Sequence, residues 1–229
     1  MEATRSTNSA VHQVTVPIED GSAVSGLLCM PAKARGCLVL AHGAGAGMDH
    51  PFMAAMANGL AERSIATLRF QFPFMERGSK RPDSPPVAHA AVRAAVAEAR
   101  RRLPGLPLFA GGKSFGGRMS SQTQAQAPME GVRGLVFIGF PLHAAGKPSQ
   151  ERAAHLHKVN CPMLFLQGTR DELAELTLLR DALEPLRDRV TLKAFEDADH
   201  AFHVRARSGQ TDDQVRMAII EAMVNWFEV

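Results

Sequence analysis

Residues 110–117 read Ala-Gly-Gly-Lys-Ser-Phe-Gly-Gly and contain a G-x-S-x-G spacing, Gly112-Lys113-Ser114-Phe115-Gly116. A serine hydroxyl is a weak nucleophile at neutral pH. It needs a histidine to take its proton and an acid to orient that histidine. Both residue types follow in the order Ser, acid, His. Asp171 lies in "FLQGTRDEL" and His200 in "FEDADHAFH". The chemistry open to such a set is acyl transfer, with Ser114 attacking a carbonyl. Rivals stand nearby. Glu172, Asp197 and Asp199 could supply the acid, and His203 the base. Asp197 and Asp199 lie so close to His200 that turn or cap roles suit them better, and Glu172 falls where a helix is expected to start.

Two phosphate-binding readings compete for the same glycines. Gly112-Lys113-Ser114 resembles the end of G-x-x-x-x-G-K-[S/T], but the first glycine would have to stand at 107, which is proline. "HGAGAGMDH" at 42–50 is also glycine-rich. There Gly43-x-Gly45 is followed by Gly47 one place early, and the next apolar run ends Phe70-Gln71 with no acid to hold a ribose. Both motifs fail on spacing.

These residues need elements to position them. "HQVTVPI" (12–18) and "VSGLLCM" (24–30) flank the turn signal Glu19-Asp20-Gly21-Ser22, which predicts an antiparallel pair. Apolar runs at 37–43, 65–70, 107–112, 134–140 and 163–168 follow, then a strand at 190–196. Helical stretches are expected near 51–63, 87–103, from just after Ser114, at 172–187, and over the closing "DDQVRMAIIEAMVNWFEV". Between Pro73 and Pro86 the chain reads as a loop. Alternating strands and helices after an antiparallel start predict an α/β fold, a mostly parallel twisted sheet with helices on both faces. Ligands bind such sheets at the carboxyl ends of the strands. Ser114, Asp171 and His200 all fall just past strands, on that one side.

Two backbone N–H groups must also face the oxyanion of a tetrahedral intermediate. Phe115, after the nucleophile, supplies one. The loop His42-Gly43-Ala44-Gly45 supplies the other, and Ala44 is the expected donor. Gly112 and Gly116 leave room for the sharp turn at Ser114. Lys113 is expected to face solvent or a structural partner, with binding of an anionic substrate as its other role. Arg118 and Arg170 either bind a carboxylate or hold loops. Met48, Met53, Phe72, Phe74 and Met75 are core residues or the wall of an acyl pocket; Met48 and Phe74 are the two taken as substrate-binding candidates.

Composition narrows the rest. At 45% hydrophobic and 21% charged, the chain can bury a core and is not of the disordered class. A net charge of +3 with scattered arginines lacks the basic stripe of a nucleic-acid binder. Cys29, Cys37 and Cys161 are odd in number and irregularly spaced, against a disulfide framework. His155-x-His157 and His200-x-x-His203 lack the companions of a metal site, so no metal and no cofactor is expected. The N-terminal "MEATRSTNSA" has no apolar core segment and no run reaches membrane-span length, which predicts a cytoplasmic protein without membrane association. Residues 1–10 read as a flexible tail on a single domain spanning 1–229.

Taken together, "HGAGAGMDHPFM", "GGKSFGGRMS", "LQGTRDEL" and "DADHAFH" resemble the small α/β-hydrolases of the dienelactone-hydrolase-like type, in a branch described as predicted hydrolases. The resemblance runs from about residue 12 to 228 and implies the α/β-hydrolase fold and hydrolysis of esters or related acyl compounds. Two departures stand out. Dienelactone hydrolases proper carry a cysteine nucleophile, where this chain has Ser114. Many relatives carry a cap domain, where this chain has only Pro141 to Pro162, a minimal cap that predicts an open site. The expected substrate is a small ester or thioester. The oligomeric state is left open, a homodimer included. Relatives of this branch also occur as non-catalytic members of assemblies, so the alternative is a catalytically weak binding or scaffold protein.

Overall fold

The computed structural model describes residues 9–227. An eight-stranded sheet runs through the molecule in the order β1-β2-β4-β3-β5-β6-β7-β8. β1 (Ala10–Pro17) and β2 (Ala23–Met30) form the antiparallel hairpin read from the sequence. β2 then pairs antiparallel with β4 (Ile65–Phe70). Every remaining pairing is parallel, through β3 (Gly36–Ala41), β5 (Leu108–Lys113), β6 (Val132–Ile138), β7 (Met163–Gly168) and β8 (Val190–Phe195). β1 already starts at Ala10, the last residue of the expected tail; residues 1–8 lie outside the described residues.

The helices pack against both faces. α1 (Pro51–Ala61) starts on Pro51, with His50 accepting the Phe52 N–H at its N-terminus. The expected loop at 73–86 contains a single helical turn, α2 (Pro73–Glu76), and ends where α3 (Pro85–Arg102) begins. α4 (Phe115–Gln126) follows Ser114, and α5 (Leu176–Leu183) is shorter than expected, giving way to a 3-10 turn over Glu184–Arg189. Pro185 at the start of that turn cannot donate the hydrogen bond that would continue the α-helix. α6 (Asp212–Trp226) carries a Thr211–Gln214 capping box.

Burial explains why the central strands are apolar throughout. Every residue of β3, β4 and β7 is buried, because helices cover both sheet faces. One core lies beneath α3 and α4, the other beneath α1 and α6. Phe70, Phe72, Phe74 and Phe115 form a ring cluster in the first core, with centroids 5.1–6.1 Å apart, Phe72 and Phe74 stacked and the other contacts edge-on. Burial of each such ring contributes about 1.5–3 kcal/mol, and the cluster props the turn that carries Ser114. The segment 141–162 holds only a 3-10 helix, Glu151–Lys158. Among the described residues, no helix is long and apolar enough to cross a membrane, and no group of three or more His, Cys, Asp or Glu could hold a metal ion.

Candidate active site

Ser114 sits between the end of β5 and the first turn of α4 with φ 50° and ψ −115°. A non-glycine residue there is strained, at a cost of roughly 1–3 kcal/mol. The surroundings enforce it. A side chain at Gly112 would place its Cβ 2.1 Å from the Ala41 carbonyl oxygen, and one at Gly116 would come within 2.6 Å of the carbonyl oxygens of Ala41 and His42. The two motif glycines therefore let the elbow press onto the end of β3. The Phe115 N–H is the first of α4, a position with no intrahelical acceptor, and the positive end of the helix dipole lies there.

Three strand ends converge on this serine. His200 Nε2 lies 2.8 Å from Ser114 Oγ, and His200 Nδ1 lies 2.7 Å from Asp171 Oδ2. A carboxylate only accepts, so Nδ1 carries the proton and Nε2 presents a lone pair to the serine hydroxyl. Asp171 is buried, with its side chain fully enclosed, while the His200 side chain is 26% exposed. The Asp171 carboxylate is fully engaged. Oδ2 also accepts from Gln167 Nε2 at 2.5 Å, and Oδ1 accepts from the Leu173 N–H at 2.8 Å. Gln167 in turn accepts the Phe140 N–H at 2.9 Å, tying the acid to the end of β6.

The rivals fall elsewhere. Asp199 accepts the N–H groups of Ala201 and His203, a turn role, and His203 pairs with Asp212 at 2.7 Å on the surface. Glu172 is exposed in the turn before α5, which starts at Leu176 rather than 172. Asp197 sits at φ 57° in the loop after β8, and its carbonyl accepts from Arg170. Arg170 is thus a loop tie.

Gly43 and Ala44 line a cleft with Ser114, and a Cβ on Gly43 would stand 3.8 Å from that of Ser114. Their loop is braced by His42, a residue whose part in the site was not read from the sequence. Its buried ring accepts the Phe72 N–H at Nε2 (3.0 Å) and so donates from Nδ1 to the Gly43 carbonyl (2.7 Å). Burial pushes the His42 imidazole pKa down, which favours this neutral form. Gln167 was missed as well. The only signal for either was a polar residue closing an otherwise apolar strand.

Lys113 turns inward, not to solvent. Its ammonium donates to the His200 carbonyl at 2.6 Å and lies 5.5 Å from the Phe202 ring centroid. Burial pushes its pKa down to about 8, partly offset by Asp171 and Asp199.

Ser114 opens onto two clefts. One, of about 460 Å³, is lined by the Gly43–Ala46 loop, Phe52, Met53, Leu173 and His200. The other, of about 360 Å³, shares Ala44, Ser114 and Leu173 and continues past Phe115 to Arg118 and Arg152. The two substrate-binding candidates among the apolar residues, Phe74 and Met48, are core residues instead. Phe74 is fully buried in the ring cluster, and Met48 is buried with its carbonyl held by Arg69. Neither lines these clefts, because both serve the packing beneath the loops. Met53 and Phe52 form that wall instead.

A parallel sheet with an antiparallel start, a strained serine at the carboxyl end of its central strand and a Ser–His–Asp line define a protein of the α/β-hydrolase class. The family model for the alpha/beta hydrolase domain matches residues 34–228, and the chain belongs to that family. Among solved structures, it is similar to a dienelactone hydrolase from Anabaena variabilis at TM-score 0.79 and 22% identity, covering 96% of this chain and 97% of that one. It is also similar to an α/β serine hydrolase without lid from Xanthomonas campestris, at TM-score 0.74 and 23% identity with 94% of each chain covered. An esterase domain from a Rhodothermus marinus protein aligns at TM-score 0.71 and 15% identity, over 95% of this chain and 97% of that one. At these identities the likeness is one of fold.

Proposed function

We propose that this protein is a serine hydrolase cleaving small ester or thioester substrates through an acyl-enzyme, with Ser114, His200 and Asp171 as its catalytic triad. The observation that carries the reading is the unbroken hydrogen-bond line from buried Asp171 through His200 to a strained Ser114 at an open cleft. His200 Nε2 takes the hydroxyl proton as Ser114 attacks the carbonyl carbon. Asp171 holds the imidazole in the correct tautomer and stabilises its cation. The N–H groups of Phe115 and Ala44 stabilise the oxyanion. Loss of one such donor costs about 3–4 kcal/mol of transition-state stabilisation. The protonated His200 then returns its proton to the leaving alcohol or thiol. A water molecule, deprotonated by His200, attacks the acyl-enzyme and frees the acid. No cofactor enters this chemistry.

The test is intact-protein mass spectrometry after exposure to a fluorophosphonate, on wild type and Ser114→Ala. One adduct on wild type and none on the variant is the expected result, followed by turnover of short acyl esters and thioesters. Two folded proteins with no adduct on either would overturn the reading in favour of a binding or scaffold role.

A further inference from the structure

The second cleft at Ser114 contains a cation that no acid among the described residues neutralises. Arg118 stands one helical turn after Ser114 on α4, on the same helix face. Among the described residues its guanidinium makes no ion pair or hydrogen bond, and its Nε is buried without a partner. Such a group is costly to leave unmade, since buried polar atoms are normally satisfied. Arg152, from the short segment between β6 and β7, lines the same cleft and donates from Nη1 to the His143 carbonyl at 3.0 Å. The one acid on the cleft wall, Asp83, is occupied by Arg77 at 2.6 Å and by the Phe74 N–H at 2.7 Å. Burial, then the like charge of Arg152, pushes the Arg118 pKa below its ordinary value. An anion between the two arginines would relieve both effects.

The geometry also tells which half of a substrate enters here. The leaving oxygen must lie within reach of His200 Nε2, and His200 lines the first cleft but not the second. The alcohol therefore leaves along the first, apolar cleft, and the acyl chain extends past Phe115 toward the arginines. We propose that the Arg118–Arg152 cleft is a carboxylate subsite for the acyl chain, and that the preferred substrates are half-esters of short dicarboxylic acids. This rests on the serine-hydrolase reading above. The reaction adds water across the ester, releasing the dicarboxylate and the alcohol. Guanidinium is suited to the task because its planar N–H fork matches a carboxylate.

Two measurements separate the subsite from the chemistry. In the first, Ser114→Ala is titrated with monomethyl glutarate and with neutral methyl pentanoate by calorimetry. The expected result is binding of the anionic ester only, weakened about tenfold or more by adding either Arg118→Gln or Arg152→Gln. The two substitutions lie on different elements, so a folding failure of one leaves the other informative. Equal binding of the two esters, or affinity unmoved by both substitutions, overturns the subsite even if Ser114 is an active nucleophile. In the second, wild type is assayed on 4-nitrophenyl monoesters of succinic, glutaric and adipic acids and on alkanoates of equal length. The anionic series is expected to win in kcat/KM, and the arginine variants to lose that preference mainly through KM. Selective binding without turnover of any ester would instead keep the carboxylate subsite and overturn the hydrolase reading.

Discussion

Lys113 Nζ donates to the His200 carbonyl at 2.6 Å, so the residue before the proposed nucleophile holds the backbone of the proposed base. The bond joins the end of β5 to the loop after β8, across the positions of β6 and β7 in the sheet. Lys113→Met should therefore lower kcat about tenfold with little change in KM, since misplacing a catalytic group costs rate more than affinity. The ammonium titrates near 8 in the folded protein against 10.5 in water. Between those values the unfolded chain binds more protons, so this group's contribution to stability improves as pH rises from about 8 toward 10.5. The Tm of wild type relative to Lys113→Met is expected to rise across that window, as read by calorimetry.

Ser114 holds its strained backbone in place of glycine. Ser114→Gly is expected to be more stable than Ser114→Ala by about 1 kcal/mol, because glycine adopts positive φ without a Cβ clash. Urea denaturation of the two inactive variants measures the difference; equal midpoints would mean that the elbow stores no strain.

Gln167 bridges the Asp171 carboxylate and the Phe140 N–H. Gln167→Leu fills a similar volume and leaves the Phe140 N–H buried without its acceptor. A loss of about 1–3 kcal/mol in unfolding free energy follows, with a fall in kcat as Asp171 loses one of its restraints. Gln167→Glu should be worse, since it sets a second carboxylate against the first.

His155 is half-buried with a ring nitrogen 2.7 Å from Ser121 Oγ, and its pKa falls to about 4 through loss of hydration first and then the charge of Arg118. Its neutral form is the folded one. The stability it contributes is complete above about 6.5 and is lost as pH falls toward 4, where the unfolded chain is protonated and the folded one resists it. His155→Gln, which cannot be protonated, is expected to show a shallower acid-side decline in Tm than wild type. Parallel declines would assign that loss to other groups.

Much of the site was legible from the chain alone. G-x-S-x-G between a buried strand and a helix, followed by an acid and a histidine after later strands, states the order of the parts and the side of the sheet on which they meet. That works because a parallel sheet sends all its carboxyl ends to one edge, so position after a strand implies position in the site. Ser114, Asp171 and His200 were identified this way and are hydrogen-bonded in line.

Other features belong to the tertiary structure alone. His42 and Gln167 act through contacts to strands distant in sequence, and no local pattern marks a side chain's partner. Lys113 could as well have pointed outward; only the packing of β6 beside it and the return of the His200 loop turned it inward. Phe74 and Met48 had the chemistry of an acyl pocket and became core, because apolar side chains are recruited wherever burial is deepest, and sequence does not record depth. The pairing of Arg118 with Arg152 is of the same kind. One comes from the helix after Ser114 and one from the short segment between β6 and β7, and only the folded chain puts both charges on one cleft wall with Ser114.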